Sequence, residues 1–444
     1  EGHFNLGIIY LKKGDFDNAA HSFLNTIKIR PEDSNALNML GVAFFKKGNI
    51  ESSINYYLKA IELNPHNDRI YNNLAIAYSK SGNFEAAELV YLKALTIDSN
   101  SFSTLFNLGK IYQQKGDLEK ALETFEKKGF PSRKDEAWKY TSLNAMVRQD
   151  YALFPKAETT IQLKKVKKYF LYEIDTYKVV FIDGVYSPFL SDTTHDGLDV
   201  CLMSAALSKA KYRSLIDTYF DKITNKEDSL TALNTSYTLE GAYVYIPKSV
   251  VAEKPIEIIH FSSGQEKALW LQPRNLIVVE KNAQVQIIER HQSLKEHDVV
   301  TNSVTEIYTH QDAFVDYYKI QNDLSTASLI DNTYISQEKN SNARVHTFSL
   351  GGKLIRNNLN FYLRGQHSHS TLKGITLLKD QQHVDHYTLV DHVSPNCESH
   401  QDYKGVFSAG SKGVFNGKIH VDQLAQKTNA FQQNNNILLD DKAT

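Results

Sequence analysis

Residues 128–142 read KGFPSRKDEAWKYTS, and a regular pattern stops there. Upstream, Leu6-Gly7, Leu40-Gly41, Leu74-Ala75 and Leu108-Gly109 recur every 34 residues. An aromatic follows three residues after the second member of each pair: Tyr10, Phe44, Tyr78, Tyr112. A helix-stopping glycine comes next, at Gly14, Gly48, Gly82 and Gly116. Then come a small residue (Ala19, Ser53, Ala87, Ala121) and a second aromatic (Phe23, Tyr57, Tyr91, Phe125). Pro31 and Pro65 close the first two copies. In the fourth copy, Gly129 and Pro131 replace the aliphatic residues that Ile27, Ile29, Ile61 and Leu63 supply earlier. Glycine and proline together end a helix, so the opening stretch is a domain boundary.

Small residues let paired helices approach, aromatics fill the space between hairpins, and glycine ends a helix without a Cβ penalty. A single hairpin cannot bury its apolar face, so the copies must stack. Residues 1–128 resemble the tetratricopeptide repeat at nearly every signature position. The resemblance implies a groove lined by the first helix of each hairpin. Asn38, Lys46, Arg69, Asn72, Lys80 and Lys110 fall there, able to grip a peptide backbone or carboxylate. The same residues also read as an ordinary solvated face.

The 444 residues suffice for several domains. A formal net charge of −1 argues against a dedicated nucleic-acid binder. No apolar run approaches membrane-spanning length, and no secretory signal is visible. Cys201 and Cys397 are the only cysteines, and their isolation fits a reducing cytoplasm. A start at Glu1 and a stop at Thr444 read as cut ends.

Beyond the boundary, Ser204–Lys222 reads as a helix. From about residue 240, short alternating segments rich in Val, Ile, Thr, Tyr and Phe predict many strands. Val285 and Ile287, Val304, Glu306 and Tyr308, and Leu359, Phe361 and Leu363 are examples. Many strands without helical spacers point to a sandwich, barrel or β-helix. The motifs GFPSRKDEAWKYTSL, Phe181–Pro188, Gln272-Pro273-Arg274-Asn275, Glu289-Arg290-His291, Pro395-Asn396-Cys397-Glu398-Ser399 and Asn434–Leu439 resemble the SufD family of iron–sulfur cluster assembly proteins. That resemblance spans 129–444. It implies a mixed segment over 129–235 and a right-handed parallel β-helix over 236–444, flanked by helices. It also implies a non-catalytic scaffold, paired with a SufB-type protein and coupled to a SufC-type ATPase. The chain itself would hold no cofactor, and a cluster would form transiently at the SufB interface. A lysine–cysteine–serine–histidine–glycine segment expected in the family, and a final helical domain, lie beyond DDKAT.

Seven histidines crowd residues 367–420. His383, His386, His392 and Cys397 are the candidate metal ligands, because imidazole and thiolate suit transition metals. His367 and His369, read as strand residues, would share one face. A small buried role for Cys397 is the competing reading. A metal-dependent enzyme on a β-stack and a peptide-binding adaptor stand as the alternative functions. No phosphate-binding GxxxxGK[ST] and no GxSxG elbow occurs.

Overall fold

The computed structural model describes residues 2–97, 104, 117–152, 166–171, 173–192, 197–207, 209–238, 240–264 and 267–444. The chain divides into two compact units: residues 1–120 with 207–213, and residues 121–206 with 214–444. The division therefore falls inside the last repeat helix and not at its end.

In the first unit, three helical hairpins follow the 34-residue pattern. They are α1 (Gly2–Lys13) with α2 (Phe16–Ile29), α3 (Ser34–Lys47) with α4 (Ile50–Leu63), and α5 (Asp68–Lys80) with α6 (Phe84–Ile97). Asp15, Asp33 and Asn49 cap helix N-termini through their side chains. The Leu-Gly signature has a steric cause. A Cβ on Gly7 would lie 2.6 Å from the Phe23 ring, and one on Gly41 would lie 2.6 Å from Tyr57. The first two hairpins are thus each built on one missing side chain and one aromatic that fills its place, with Ala75 the small residue of the third.

The second unit opens with the rest of α7 (Asp117–Lys128). Ser132 and Asp135 bond one another in a turn, followed by a single 3-10 turn at Glu136–Trp138 rather than a long capped helix. The expected helix over 204–222 is two helices, Met203–Leu207 and Ala210–Tyr219. Eighteen strands follow the boundary among the described residues. They are β1 (Tyr177–Ile182), β2 (Val185–Tyr186), β3 (Asp199–Leu202), β4 (Ala242–Ile246), β5 (Ile256–Ser262) and β6 (Leu269–Leu271). Next come β7 (Arg274–Val279), β8 (Gln284–Ser293), β9 (Val299–Thr309), β10 (Phe314–Gln321), β11 (Ala327–Gln337) and β12 (Asn342–Ser349). The last are β13 (Leu354–Leu363), β14 (His369–Leu378), β15 (His383–His392), β16 (Glu398–Phe407), β17 (Lys412–Val421) and β18 (Asn429–Leu438).

These strands form two nine-stranded sheets, one running β18-β16-β14-β12-β10-β8-β5-β1-β2 and the other β17-β15-β13-β11-β9-β7-β4-β3, with β6 also paired to β9. From β7 onward, successive strands alternate between sheets and pair in parallel with the strand two places on, while β1–β2 and β3–β4 pair antiparallel. The result is a parallel β-solenoid of about seven turns, from residue 243 to 438. Its first sheet already takes in β1, well before the expected start at 236.

A second internal period underlies the solenoid. Asn282, Asp312, Asn340, His367, Asn396 and Lys427 all have φ between 57° and 60° and each sits two residues ahead of a strand of the first sheet. Asn and Asp tolerate this left-handed backbone better than most residues. The next residue is small and turned inward: Ala283, Ala313, Ser341, Ser368 and Cys397 are all buried. His367 is therefore a corner residue, and it does not share a strand face with the exposed His369.

The outer face of the second sheet is covered. Trp138, Leu143, Met146, Leu230, Leu233 and Trp270 pack on Val300, Ile330 and Leu354. The tryptophan motif works as a clamp here. Trp138 lies over the Arg356 guanidinium at 4.6 Å, and Thr141 bonds both His383 and Asp385.

Candidate functional site

Strand alternation turns an unusual number of polar residues inward. Register then stacks them. Along the first sheet, His260, His291, Gln321, Ser349 and Thr376 occupy successive rungs. Along the second sheet, Ser303, Asp331, Asn357 and His386 do the same. Buried polar groups must find partners, and these find one another. Lys319 Nζ lies 2.6 Å from Asp331 Oδ2, with both side chains at most 2% exposed. Ser349 donates to Gln321 Oε1 at 2.7 Å, and Gln321 donates to Asn357 Oδ1 at 2.5 Å. Asn357 contacts His386 Nδ1 at 3.3 Å, whose Nε2 meets Thr376 Oγ1 at 2.9 Å.

A cavity lies toward each end of this column. One, of about 10 Å³, is lined by His260, His291, Asp323, Ser262 and Thr301 among others. The other, of about 20 Å³, is lined by His386, Thr376, Tyr403, Asn434 and Asn436 among others. Either has room for roughly one water molecule.

At the first end, Glu289 accepts from Asn275 Nδ2 at 3.1 Å and from the Tyr317 hydroxyl. His260 Nε2 stands 3.3 Å and His291 Nε2 3.7 Å from its Oε1. Burial opposes the Glu289 charge, but the two imidazoles outweigh it and hold the carboxyl well below its usual range. Burial lowers His260. Burial also works against a charged His291, yet Glu289 beside it carries that group above the ordinary value.

The late histidines behave differently. His383 is held by Thr141 at 2.9 Å, and burial with the neighbouring Lys412 lowers it to about 4. His386 is buried in the column and lowered to about 3, chiefly by desolvation. His392 Nε2 bonds Ser399 Oγ at 3.0 Å. Cys397 is a corner residue whose thiol contacts Gly365 O and Ser368 Oγ, each at 3.2 Å. These four residues do not come together as a ligand set among the described residues. Sequence neighbours were a poor guide because neighbours in space lie one rung apart. The groups that do converge are His260, Glu289 and His291, and the more exposed Asp391, His420 and Asp422. The alternating strand pattern placed their side chains, but only the rung period, which sequence reading missed, could have brought them together.

Of the groove residues, Lys46, Arg69 and Lys80 are exposed and Asn72 is half-buried. Asn38 is only 6% exposed and accepts from Asn73 Nδ2 at 3.0 Å, so it ties α3 to α5 and does not face a ligand. Lys110 lies outside the described residues.

Every residue of β18 is exposed, including Phe431, Ile437 and Leu438. Phe431 stacks on His400 at 4.9 Å, and His420 bonds Asp391 at 2.7 Å.

Comparison with known proteins agrees with this architecture. A family model described as the SUF system FeS cluster assembly SufBD core domain matches residues 260–444, and the SufBD protein N-terminal region matches 113–258. Tetratricopeptide models match 1–33, 41–82 and 77–116. The iron–sulfur cluster assembly SufBD family protein of Synechocystis is 29% identical over 321 residues, 70% of each chain. The iron–sulfur cluster assembly protein SufD of Escherichia coli is 25% identical over 333 residues, 72% of each. Among solved structures, the first TPR of Spaghetti bound to an HSP90 peptide is 21% identical, with a TM-score of 0.25, and covers 26% of this chain and 91% of that one. With the two SufBD models spanning nearly all of 113–444 and the solenoid in place, the chain belongs to the SufBD family of iron–sulfur cluster assembly proteins, with tetratricopeptide repeats ahead of the family's two regions.

Proposed function

We propose that this chain is a SufD-type scaffold subunit that pairs with a SufB-type protein, works with a SufC-type ATPase and performs no turnover of its own. The observation that carries this reading is the match of the two SufBD regions to nearly all of residues 113–444, together with the parallel solenoid that those residues build. The cluster is cargo, assembled transiently where the two subunits meet in the cytoplasm. The repeats recruit a further protein, with Lys46, Arg69 and Lys80 offering cations to a peptide carboxylate.

The test is co-expression of residues 1–444 with SufB-type and SufC-type proteins from the same source, followed by size-exclusion chromatography. Co-elution with the SufB-type protein is the expected result, and failure to co-elute overturns the reading.

A further inference from the structure

We infer that His260, Glu289 and His291 form a binding site for a divalent first-row transition metal ion inside the solenoid. The site does not depend on the scaffold reading.

The donor set comes first. Two imidazole nitrogens and one carboxylate oxygen lie within 4.8 Å of one another, on two adjacent strands. This is a composition that zinc, ferrous iron and cobalt accept. The spacing comes second. Ligand atoms about 2.0–2.1 Å from a tetrahedral ion are roughly 3.3–3.4 Å from each other. The two imidazole-to-carboxylate separations are 3.3 and 3.7 Å.

Orphaned groups provide the third observation. The Nε2 atoms of both histidines are buried and make no hydrogen bond. His260 is 8%, His291 4% and Glu289 1% exposed. Groups so buried rarely go without a partner, and here both lie within 3.7 Å of one carboxylate oxygen. Orientation is the fourth. The rings stack on one another at 4.8 Å and 13°, with Phe181 stacked against His260 at 5.1 Å. Asn275 donates to Oε1 of the carboxylate and Tyr317 to Oε2, and together they fix it, as outer partners do at metal centres. Both histidines also line the 10 Å³ cavity, which leaves room for a water as a further ligand and has Asp323 in its lining.

Cobalt is the probe, because its ligand-field bands report nitrogen and oxygen coordination directly. The full chain carrying His420→Ala, which removes the exposed Asp391–His420–Asp422 group, is stripped with chelator and titrated with Co²⁺. A second preparation is expressed in cobalt-supplemented medium, so that the ion meets the chain while it folds. The expected result is about one equivalent of tightly held cobalt with visible ligand-field absorption. His260→Asn, His291→Asn and Glu289→Gln should each lower affinity at least tenfold. Tyr317→Phe, which keeps all three ligands, should lower it less. Cobalt should raise the thermal midpoint of the parent and not that of the ligand variants. Sub-stoichiometric cobalt by both loading routes overturns the inference. So does stoichiometric binding that survives loss of two of the three ligands.

Discussion

Replacing Lys319 by methionine removes one end of an ion pair sealed inside the solenoid. Lys319 is 2% exposed and Asp331 0%, and 2.6 Å separates their charged atoms. Methionine fills much the same volume, so little cavity forms. The cost comes from Asp331, left with Gln321 Nε2 at 3.2 Å and Thr333 Oγ1 at 3.4 Å as its side-chain donors. Stranding one member of a buried pair costs about 3–5 kcal/mol. Against a typical stability of about 5–15 kcal/mol, that is a large fraction. The pair Lys319→Met with Asp331→Leu removes both charges, and the same physics predicts stability near or above that of the parent. The assay is urea unfolding followed by tryptophan fluorescence. The chain has only two tryptophans, Trp138 and Trp270, and both sit in the core of the second unit, so the signal ignores the repeats. A single Lys319→Met variant within about 1 kcal/mol of the parent would refute the reasoning, since an exposed pair is worth no more than that.

Cys397 fills a corner where Ala283, Ala313, Ser341 and Ser368 stand in other rungs, so Cys397→Ser should cost under about 1 kcal/mol, while Cys397→Leu should cost about 1–3 kcal/mol by overpacking, both read from urea midpoints. His386 titrates at about 3 in the folded chain and near 6.5 when unfolded. Its contribution is therefore intact above about pH 6.5 and is lost as pH falls toward 3, by up to about 1.4 kcal/mol per pH unit, and His386→Asn should flatten that part of a stability–pH profile. A Cβ on Gly241 would sit 1.6 Å from the Arg274 carbonyl oxygen, so Gly241→Ala should destabilise the second unit by more than about 4 kcal/mol or prevent its folding, as measured by thermal unfolding.

The repeats were legible because their period is strict and each signature residue has one steric job, as Gly7 beneath Phe23 shows. The solenoid was legible as strands but not as rungs. Its corner residue varies among Asn, Asp, His and Lys, and the spacing between corners drifts by several residues. Alternation puts Val304, Glu306 and Tyr308 on one face of β9, with Glu306 paired to Arg274, while Ser303, Thr305 and Ile307 turn inward. Both faces of β9 are buried, which erases the contrast that a half-exposed strand displays.

The polar interior follows from the same geometry. An apolar solenoid needs no specific pairing between its sheets, and a one-rung slip would cost it little. A column in which Lys319 reaches Asp331, Gln321 reaches Asn357 and Asn357 reaches His386 tolerates no such slip, because each displaced group would be buried without its partner. Register fixed in this way also sets which residues of each strand turn inward and which meet the covering elements, so the interior network and the apolar outer face at Val300, Ile330 and Leu354 are two parts of one arrangement.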